Sequence, residues 1–541
     1  MLRRKEGLIL PVYLLLAAVV LITCVGFNKL SSKLGIPVLL AFILLGMLFG
    51  AEGVVKIPFD NYAFAGQICA VALIFIMFYG GFGTKWSEAR PVVAQAVLLS
   101  SAGVVLTAGI TGLFCHFALR IGWLESLLIG AVISSTDAAS VFSILRSKRL
   151  NLRYNTASML EVESGSNDPC AYMLTAVILS IMSQNVRGGQ IAYMIFAQLT
   201  YGALFGVAIA AAALWALKKF QFAADGFDAI FILGVAIFSY AAPEALGGNG
   251  YLSAYIVGIM MGNHEIKNKK AIVHFFDTAT GLMQVVLFFL LGLLATPSLL
   301  LNVAFTALAI ALFLTFVARP AAVFAILSPL GGTFKQQLLV SWAGLRGAAS
   351  IVFAVMAAIS PAYTSTDLFH IVFFIVLLSI LFQGAMIPLV ARRLDMIDEN
   401  ADVMKTFTDY SDEVPIQFIQ FSVPEQHPWS GSMIQDILLP AETILVLLLR
   451  SGKKIVPNGK TVLQPYDKLI LSARAPGDIE GISLFEKRIA KGDRWENKRV
   501  AEIFKKPDML IIMVQRKGRV IIPQGSTVIK ENDVLVINHS S

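Results

Sequence analysis

The sequence predicts an all-α polytopic membrane domain followed by a cytoplasmic α+β tandem module, and three observations support that prediction. Of the 541 residues, 57% are hydrophobic and 14% charged, more apolar surface than one soluble core could hide. Apolar runs long enough to span a bilayer, or nearly so, recur from residue 8 to residue 391. From about Leu394 charges return every few residues and short alternating runs replace the long ones, as expected of strands in water.

The predicted spans are 8–27, 36–51, 62–83, 91–119, 123–145, 156–184, 190–217, 227–242, 249–262, 272–296, 299–327, 335–358 and 367–391, thirteen in all. The run 249–262 is the shortest. The basic start, Arg3 to Lys5, is read as the flank of a first helix and not as a signal peptide. Thirteen spans put the termini on opposite sides. With the C-terminus inside, the inner loops hold seventeen Lys and Arg, Arg319 among them, against six outside, so the C-terminal region is predicted to be cytoplasmic.

The formal net charge of +8 belongs to the membrane part: residues 1–394 hold 24 basic against 15 acidic side chains, and the remainder 19 against 20. This excludes a nucleic-acid-binding face. Cys24, Cys69, Cys115 and Cys170 lie in apolar segments without metal-ligand spacing, so neither disulfide nor zinc is expected.

Charges inside spans are the functional signal, because an ionised side chain at the bilayer centre costs about 2.5–3.5 kcal/mol. The segment Glu161-Val-Glu163-Ser164-Gly-Ser-Asn167-Asp168-Pro169 enters an apolar run directly. Asp137 lies about 14 residues into its span, Glu163 and Asp168 about 7 and 12, and Arg346 about 11, so all fall in the central part of a core roughly 30 Å thick. Ser134-Ser-Thr136-Asp137 and Gly344-Leu-Arg346-Gly347 suit discontinuous helices, whose freed backbone groups coordinate ions. Their echo, Asp137-Ala-Ala-Ser140 against Arg346-Gly-Ala-Ala-Ser350, fits inverted repeats with crossed discontinuous helices; plain helix packing by small residues is the other reading.

Ser164 and Asp168 are four residues apart, so hydroxyl and carboxylate share a helix face and offer oxygen to one dehydrated cation. Glu163 and Asn167 form the neighbouring face. Arg346 is read as the single arginine near the midplane, and Glu163 as the acid that neutralises it. Asp168 is then left to hold either a proton or an alkali cation, and desolvation makes the two compete. The alternative is that these acids are structural ion pairs.

Together, Asn167-Asp168 with Glu163 and Ser164, Thr136-Asp137, and Gly344-Leu-Arg346-Gly347 resemble NhaP-type monovalent cation/proton antiporters over residues 8–393. The resemblance implies that Asp168 binds cation or proton, that Ser164 and Thr136 add oxygens, and that Glu163 pairs with Arg346. It implies one-for-one electroneutral exchange from Asn at 167, a homodimer, and a bacterial inner membrane. No cofactor is implied beyond the transported K⁺, Na⁺ and H⁺. One departure is the third span, where Phe78-Tyr79-Gly80-Gly81 stands in place of an acid that the family often carries.

The tail repeats itself at an offset of 66 residues, superposing Trp429 on Trp495, Arg450 on Arg516, Gly452 on Gly518 and Asp467 on Asp533. Each copy, about 403–484 and 485–541, reads as a helix, a strand ending in Arg, a glycine turn and a strand after the Asp. Both resemble the C-terminal half of regulator-of-potassium-conductance modules. That resemblance implies the potassium/proton branch and a small-ligand regulator, with cyclic di-AMP one candidate; the Arg and Asp pairs are equally read as fold residues. A potassium channel lacks a filter here, since Phe82-Gly-Thr84 and Gly247-Gly-Asn-Gly250 do not supply one. An intramembrane hydrolase on Ser164 lacks a histidine at catalytic spacing. A carrier of organic substrates would need a roomier, more aromatic site.

Overall fold

The computed structural model describes residues 15, 17–26, 38–147, 150–183, 188–219, 226–264, 266, 269–362, 366–398, 416–425, 427–439, 443–450, 453–474, 483–490, 493–503, 509–516, 519–521 and 523–539. The basic residues Arg3 to Lys5, Lys29, Lys33, Lys148, Arg149, Arg187 and Lys267 of the topology count, and the turn glycines Gly452 and Gly518, lie outside the described residues. Two compact units divide the chain, Met1–Ser411 and Asp412–Ser541.

Among the described residues of the first unit, seven helices are long and apolar enough to cross a membrane: Tyr62–Gly83, Trp86–Phe117, Gly188–Lys219, Phe227–Glu244, Ala271–Leu294, Pro297–Leu327 and Leu368–Arg393. Five shorter apolar helices of 10–17 residues accompany them. The expected count of thirteen is not reached: of the first run only residues 15 and 17–26 are described, Val38–Phe49 and Gly250–Gly262 hold only 12 and 13 residues, and the other three runs fall short for two physical reasons. Thr156–Met182 is 27 residues long but Glu161, Glu163 and Asp168 dilute its apolar character, and the runs 123–145 and 335–358 are each cut into two half-length helices. The unit also extends past residue 393: the Arg153 N–H donates to the Met396 carbonyl at 2.9 Å, and Met396 is fully buried.

Three of the long helices contain a π-helical turn, at Leu99–Gly103, Leu314–Ala318 and Ser379–Gly384. Such one-residue insertions in an α ladder re-aim the side chains beyond them and occur often at functional sites. Thr156–Met182 contains Pro169, whose missing N–H removes the helical donor to the Gly165 carbonyl. The Pro169 carbonyl itself accepts from Asn249 Nδ2 at 2.8 Å.

The second unit holds two antiparallel four-stranded sheets of identical topology. Strands β1 Ile416–Ser422, β2 Thr443–Arg450, β3 Lys453–Ile455 and β4 Lys468–Arg474 run in the order β1-β4-β2-β3. Strands β5 Ser483–Arg488, β6 Met509–Arg516, β7 Arg519–Ile521 and β8 Val534–His539 repeat it as β5-β8-β6-β7. Even the register shifts correspond, between Leu445 and Leu447 in one copy and Ile511 and Met513 in the other. Trp429 and Trp495 pack on the two small cores. The predicted helix of each copy is only a single turn, Ile434–Asp436 and Val500–Ile503, and each sheet begins with a strand that the sequence reading did not contain.

Candidate functional site

Two interrupted helices cross at the centre of the first unit. Trp123–Val132 and Ala138–Ser147 flank one gap, Phe334–Trp342 and Ala348–Ile359 the other. Ser134, Ser135 and Thr136 compete with helical hydrogen bonds through their hydroxyls, and Gly344 and Gly347 weaken the second ladder by entropy. The gaps are tied together where the Asp137 N–H donates to the Leu345 carbonyl at 2.8 Å. Asp137 is also the N-cap of the helix after it, its carboxylate accepting from the Ser140 N–H at 3.3 Å and from Ser140 Oγ at 2.5 Å. Gly347 permits this contact, since a Cβ there would lie 2.5 Å from Asp137 Oδ2.

The helix Thr156–Met182 presents the remaining groups to the crossing. Asp168, 6% exposed, accepts a hydrogen bond from Ser135 Oγ through Oδ1. Asn167 Nδ2 donates to Thr136 Oγ1 at 2.5 Å, and Ser164 Oγ donates to the Thr136 carbonyl at 2.7 Å. The structure therefore brings Asp168, Asn167, Ser164, Thr136 and Asp137 together, as the sequence led us to expect, and adds Ser135. Hydroxyl run 134–136 carried that signal, but an unwound segment has no periodicity to say which hydroxyl faces inward. A cavity of about 530 Å³ reaches the group and is lined by Asp168, Asp137, Ser164, Thr136 and Glu161.

The expected Glu163–Arg346 pair is replaced by another. Glu163 Oε1 lies 2.5 Å from Arg319 Nη2, with Glu163 1% and Arg319 2% exposed. Arg346 instead donates through Nη1 to the carbonyls of Ser134 and Ser135, at 2.9 and 2.7 Å, and its own N–H donates to Ser379 Oγ at 3.0 Å. Among the described residues no ion pair joins Arg346 to Glu163 or Asp168. Arg319 had been counted as a loop residue; it follows directly on the π turn Leu314–Ala318 and is turned inward. Gly344 makes room for it, since a Cβ there would lie 2.8 Å from Arg319 Nε. Arg346 thus bridges the two gaps, and Arg319 holds the acid.

The third-span departure is answered from another helix. Tyr79 Oη donates to Asp277 Oδ1 at 3.1 Å, and Asp277, Thr280, Gly281 and Gln284 line one wall of the cavity. Their i, i+3, i+4, i+7 spacing was legible in the sequence as a polar stripe along an apolar helix. Among the described residues no group of three or more His, Cys, Asp or Glu is placed to hold a metal ion.

A family model described as "Sodium/hydrogen exchanger, transmembrane" matches residues 16–393. The chain belongs to the sodium/hydrogen exchanger family. A TrkA-C domain model matches this exchanger twice more, at 418–477 and 484–538. The K(+)/H(+) antiporter NhaP of Alkalimonas amylolytica is 33% identical over 475 residues, covering 87% of this chain and 82% of that protein. The K(+)/H(+) antiporter NhaP2 of Shewanella baltica is 32% identical over 84% of this chain and 80% of its own. Among solved structures, the sodium proton antiporter MjNhaP1 from Methanocaldococcus jannaschii at pH 8 superposes with a TM-score of 0.62 and 25% identity, over 70% of this chain and 97% of that one. The exchanger is a cation/proton antiporter, a multi-pass membrane transporter and not an enzyme.

In the tail of the exchanger the two Arg–Asp pairs prove to be paired with each other within each copy. Arg450 Nε and Nη2 donate to Asp467 at 2.9 and 2.7 Å and Nη2 also to the Val462 carbonyl; Arg516 does the same to Asp533 at 2.8 and 2.7 Å and to the Val528 carbonyl. Burial works against the Asp467 carboxylate, yet Arg450 and the Gln464 N–H outweigh it and hold its carboxyl below the usual carboxylate range. Asp533 is held down in the same way by Arg516 and the Lys530 N–H. Each pair pins the start of the last strand to the end of the second.

Proposed function

We propose that this antiporter exchanges K⁺, and Na⁺ as a second substrate, for H⁺ one for one, with Asp168 as the group that both ligands share. The observation that supports this most directly is a buried carboxylate in the lining of a cavity, set against a gap where backbone carbonyls are released from helical bonding. The oxygens offered beside it are the Thr136 and Ser164 hydroxyls and the Gly165 carbonyl that Pro169 leaves without its helical donor. Asn167 holds Thr136 in place, and Asp137 anchors the crossing. Arg319 neutralises Glu163, which keeps that acid out of the competition. One carboxylate takes one cation or one proton, so the cycle moves no net charge. Potassium is preferred on the names of relatives whose match covers 84–87% of this chain, more than its residues 1–393 alone, the K(+)/H(+) antiporters above.

The finer topology belongs to the same proposal: thirteen spans in a bacterial inner membrane, residues 1–393 transporting, residues 394–541 cytoplasmic, and a homodimer. The duplicated tail module is proposed to regulate exchange through a small ligand of nucleotide type. The decisive test is Asp168→Asn in proteoliposomes, with a pH-sensitive dye read after addition of K⁺, Na⁺, Li⁺ or Rb⁺. The variant should insert normally and show no cation-dependent proton movement; retained exchange would refute the assignment.

A further inference from the structure

A second cavity, of about 320 Å³, lies between the helices Pro297–Leu327 and Leu368–Arg393 and has Arg319 and Arg346 in its lining. Its walls are apolar. Leu308, Leu312, Phe316, Phe382 and Met386 line it and are exposed, at 43%, 50%, 62%, 61% and 41%, so the mouth opens sideways. Ser379, also in the lining, lies 11 residues into the 26-residue helix Leu368–Arg393, about 16 Å from its end and so near the middle of a bilayer core. The cavity therefore faces hydrocarbon.

The polar end is short of negative charge. Two buried guanidinium groups, each 2% exposed, are accompanied by one buried carboxylate, Glu163. Beyond the close Arg319 Nη2–Glu163 Oε1 contact, Arg319 Nε and both Nε and Nη2 of Arg346 are buried donors without a hydrogen-bond partner, three against the one remaining Glu163 oxygen, Oε2, an unfavourable arrangement for charged groups in a dry site. Apolar walls and unsatisfied guanidinium donors together specify an amphiphile with a small anionic end. A phospholipid does not fit, because its phosphodiester stays charged and is held at the interface, about 15 Å away; a carboxylic acid can enter the core protonated and give up its proton only beside the guanidinium groups.

We infer that this cavity binds a long-chain carboxylate from the membrane, its acyl chain lying between the two helices and its carboxylate accepting from Arg346 and Arg319. Occupancy would fix Arg346, which holds the Ser134 and Ser135 carbonyls of the other gap, and so slow the rearrangement that exchange requires.

The test uses the full chain in nanodiscs with a photoactivatable fatty acid and its methyl ester as probes. The acid should label peptides containing residues 308–319 and 375–386, with oleate competing; the ester should bind at least about tenfold more weakly, the loss expected for a charge-assisted hydrogen bond. Leu312→Trp, or Met386→Trp from the facing helix should the first not fold, fills the mouth without touching either arginine and should abolish labelling. In proteoliposomes with equal pH on both sides, oleate should slow tracer rubidium exchange of the wild type but not of the filled variant. Equal labelling by acid and ester, labelling confined to other helices, or protection of this face by a second copy of the chain would each overturn the inference.

Discussion

Replacing Arg319 with methionine while Glu163 remains isolates a carboxylate that is 1% exposed and has lost the guanidinium 2.5 Å away. Removing one partner of a buried ion pair costs about 3–5 kcal/mol, whereas replacing both with apolar residues of similar volume is neutral or stabilising by about 1–4 kcal/mol. Arg319→Met should thus be the damaging change and Glu163→Leu with Arg319→Met the mild one. At roughly 2 °C per kcal/mol, the single variant should melt about 6–10 °C lower in detergent, followed by fluorescence-detected size exclusion, and the double variant within a few degrees of wild type. The same cycle run on Glu163 and Arg346 should give much the smaller coupling, since Arg346 is hydrogen-bonded to backbone carbonyls. If Glu163→Leu rescues Arg346→Met and fails to rescue Arg319→Met, the assignment of the counter-ion is wrong.

Gly347→Ala should lower the maximal exchange rate at least about tenfold with normal expression, because the added methyl must displace the Asp137 carboxylate; a near-normal rate in dye assays would show that this contact is slack. Asp277→Asn should raise the cation concentration for half-maximal exchange several-fold and leave the maximum unchanged, with Asp277→Glu restoring it; an equal fall in both would mean the acid serves packing. In the tail, Asp467 and Asp533 have carboxyls held below the usual range, so their stabilisation is complete above about pH 4, the ordinary carboxylate value, and is lost as pH falls through their lower folded values. Hydrogen exchange of β4 and β8 in the full chain should stay slow at pH 5 and quicken only below about pH 4, and Asp533→Asn should quicken β8 at neutral pH, the difference from wild type closing as Asp533 protonates.

Much of this arrangement could be read from the chain. Asp137, Ser164, Asn167 and Asp168 announced themselves because polar groups at the depth of a bilayer centre have few other reasons to be there. The tail's repeat was visible for a different reason: its paired Arg and Asp recur at one offset, and their bidentate bonds need both at fixed positions. Arg319 escaped notice because depth along a helix was counted at a uniform α rise, while the π turn before it changes where the side chain points. Counting charges says that an arginine must pair; it does not say which of two arginines reaches the acid. The opening strand of each sheet was missed because its apolar and polar residues, as in Ile416-Gln-Phe-Ile-Gln-Phe, form too short a run to outweigh the charged segment before it.

The wide turn at Leu314–Ala318 has an implication for how such a chain tolerates change. A single deletion there would restore an ordinary helix and swing everything downstream by about 100°. Arg319 would face the acyl chains and Glu163 would be stranded, although no residue of the ion pair had been altered. Length, and not only identity, is under constraint at that place.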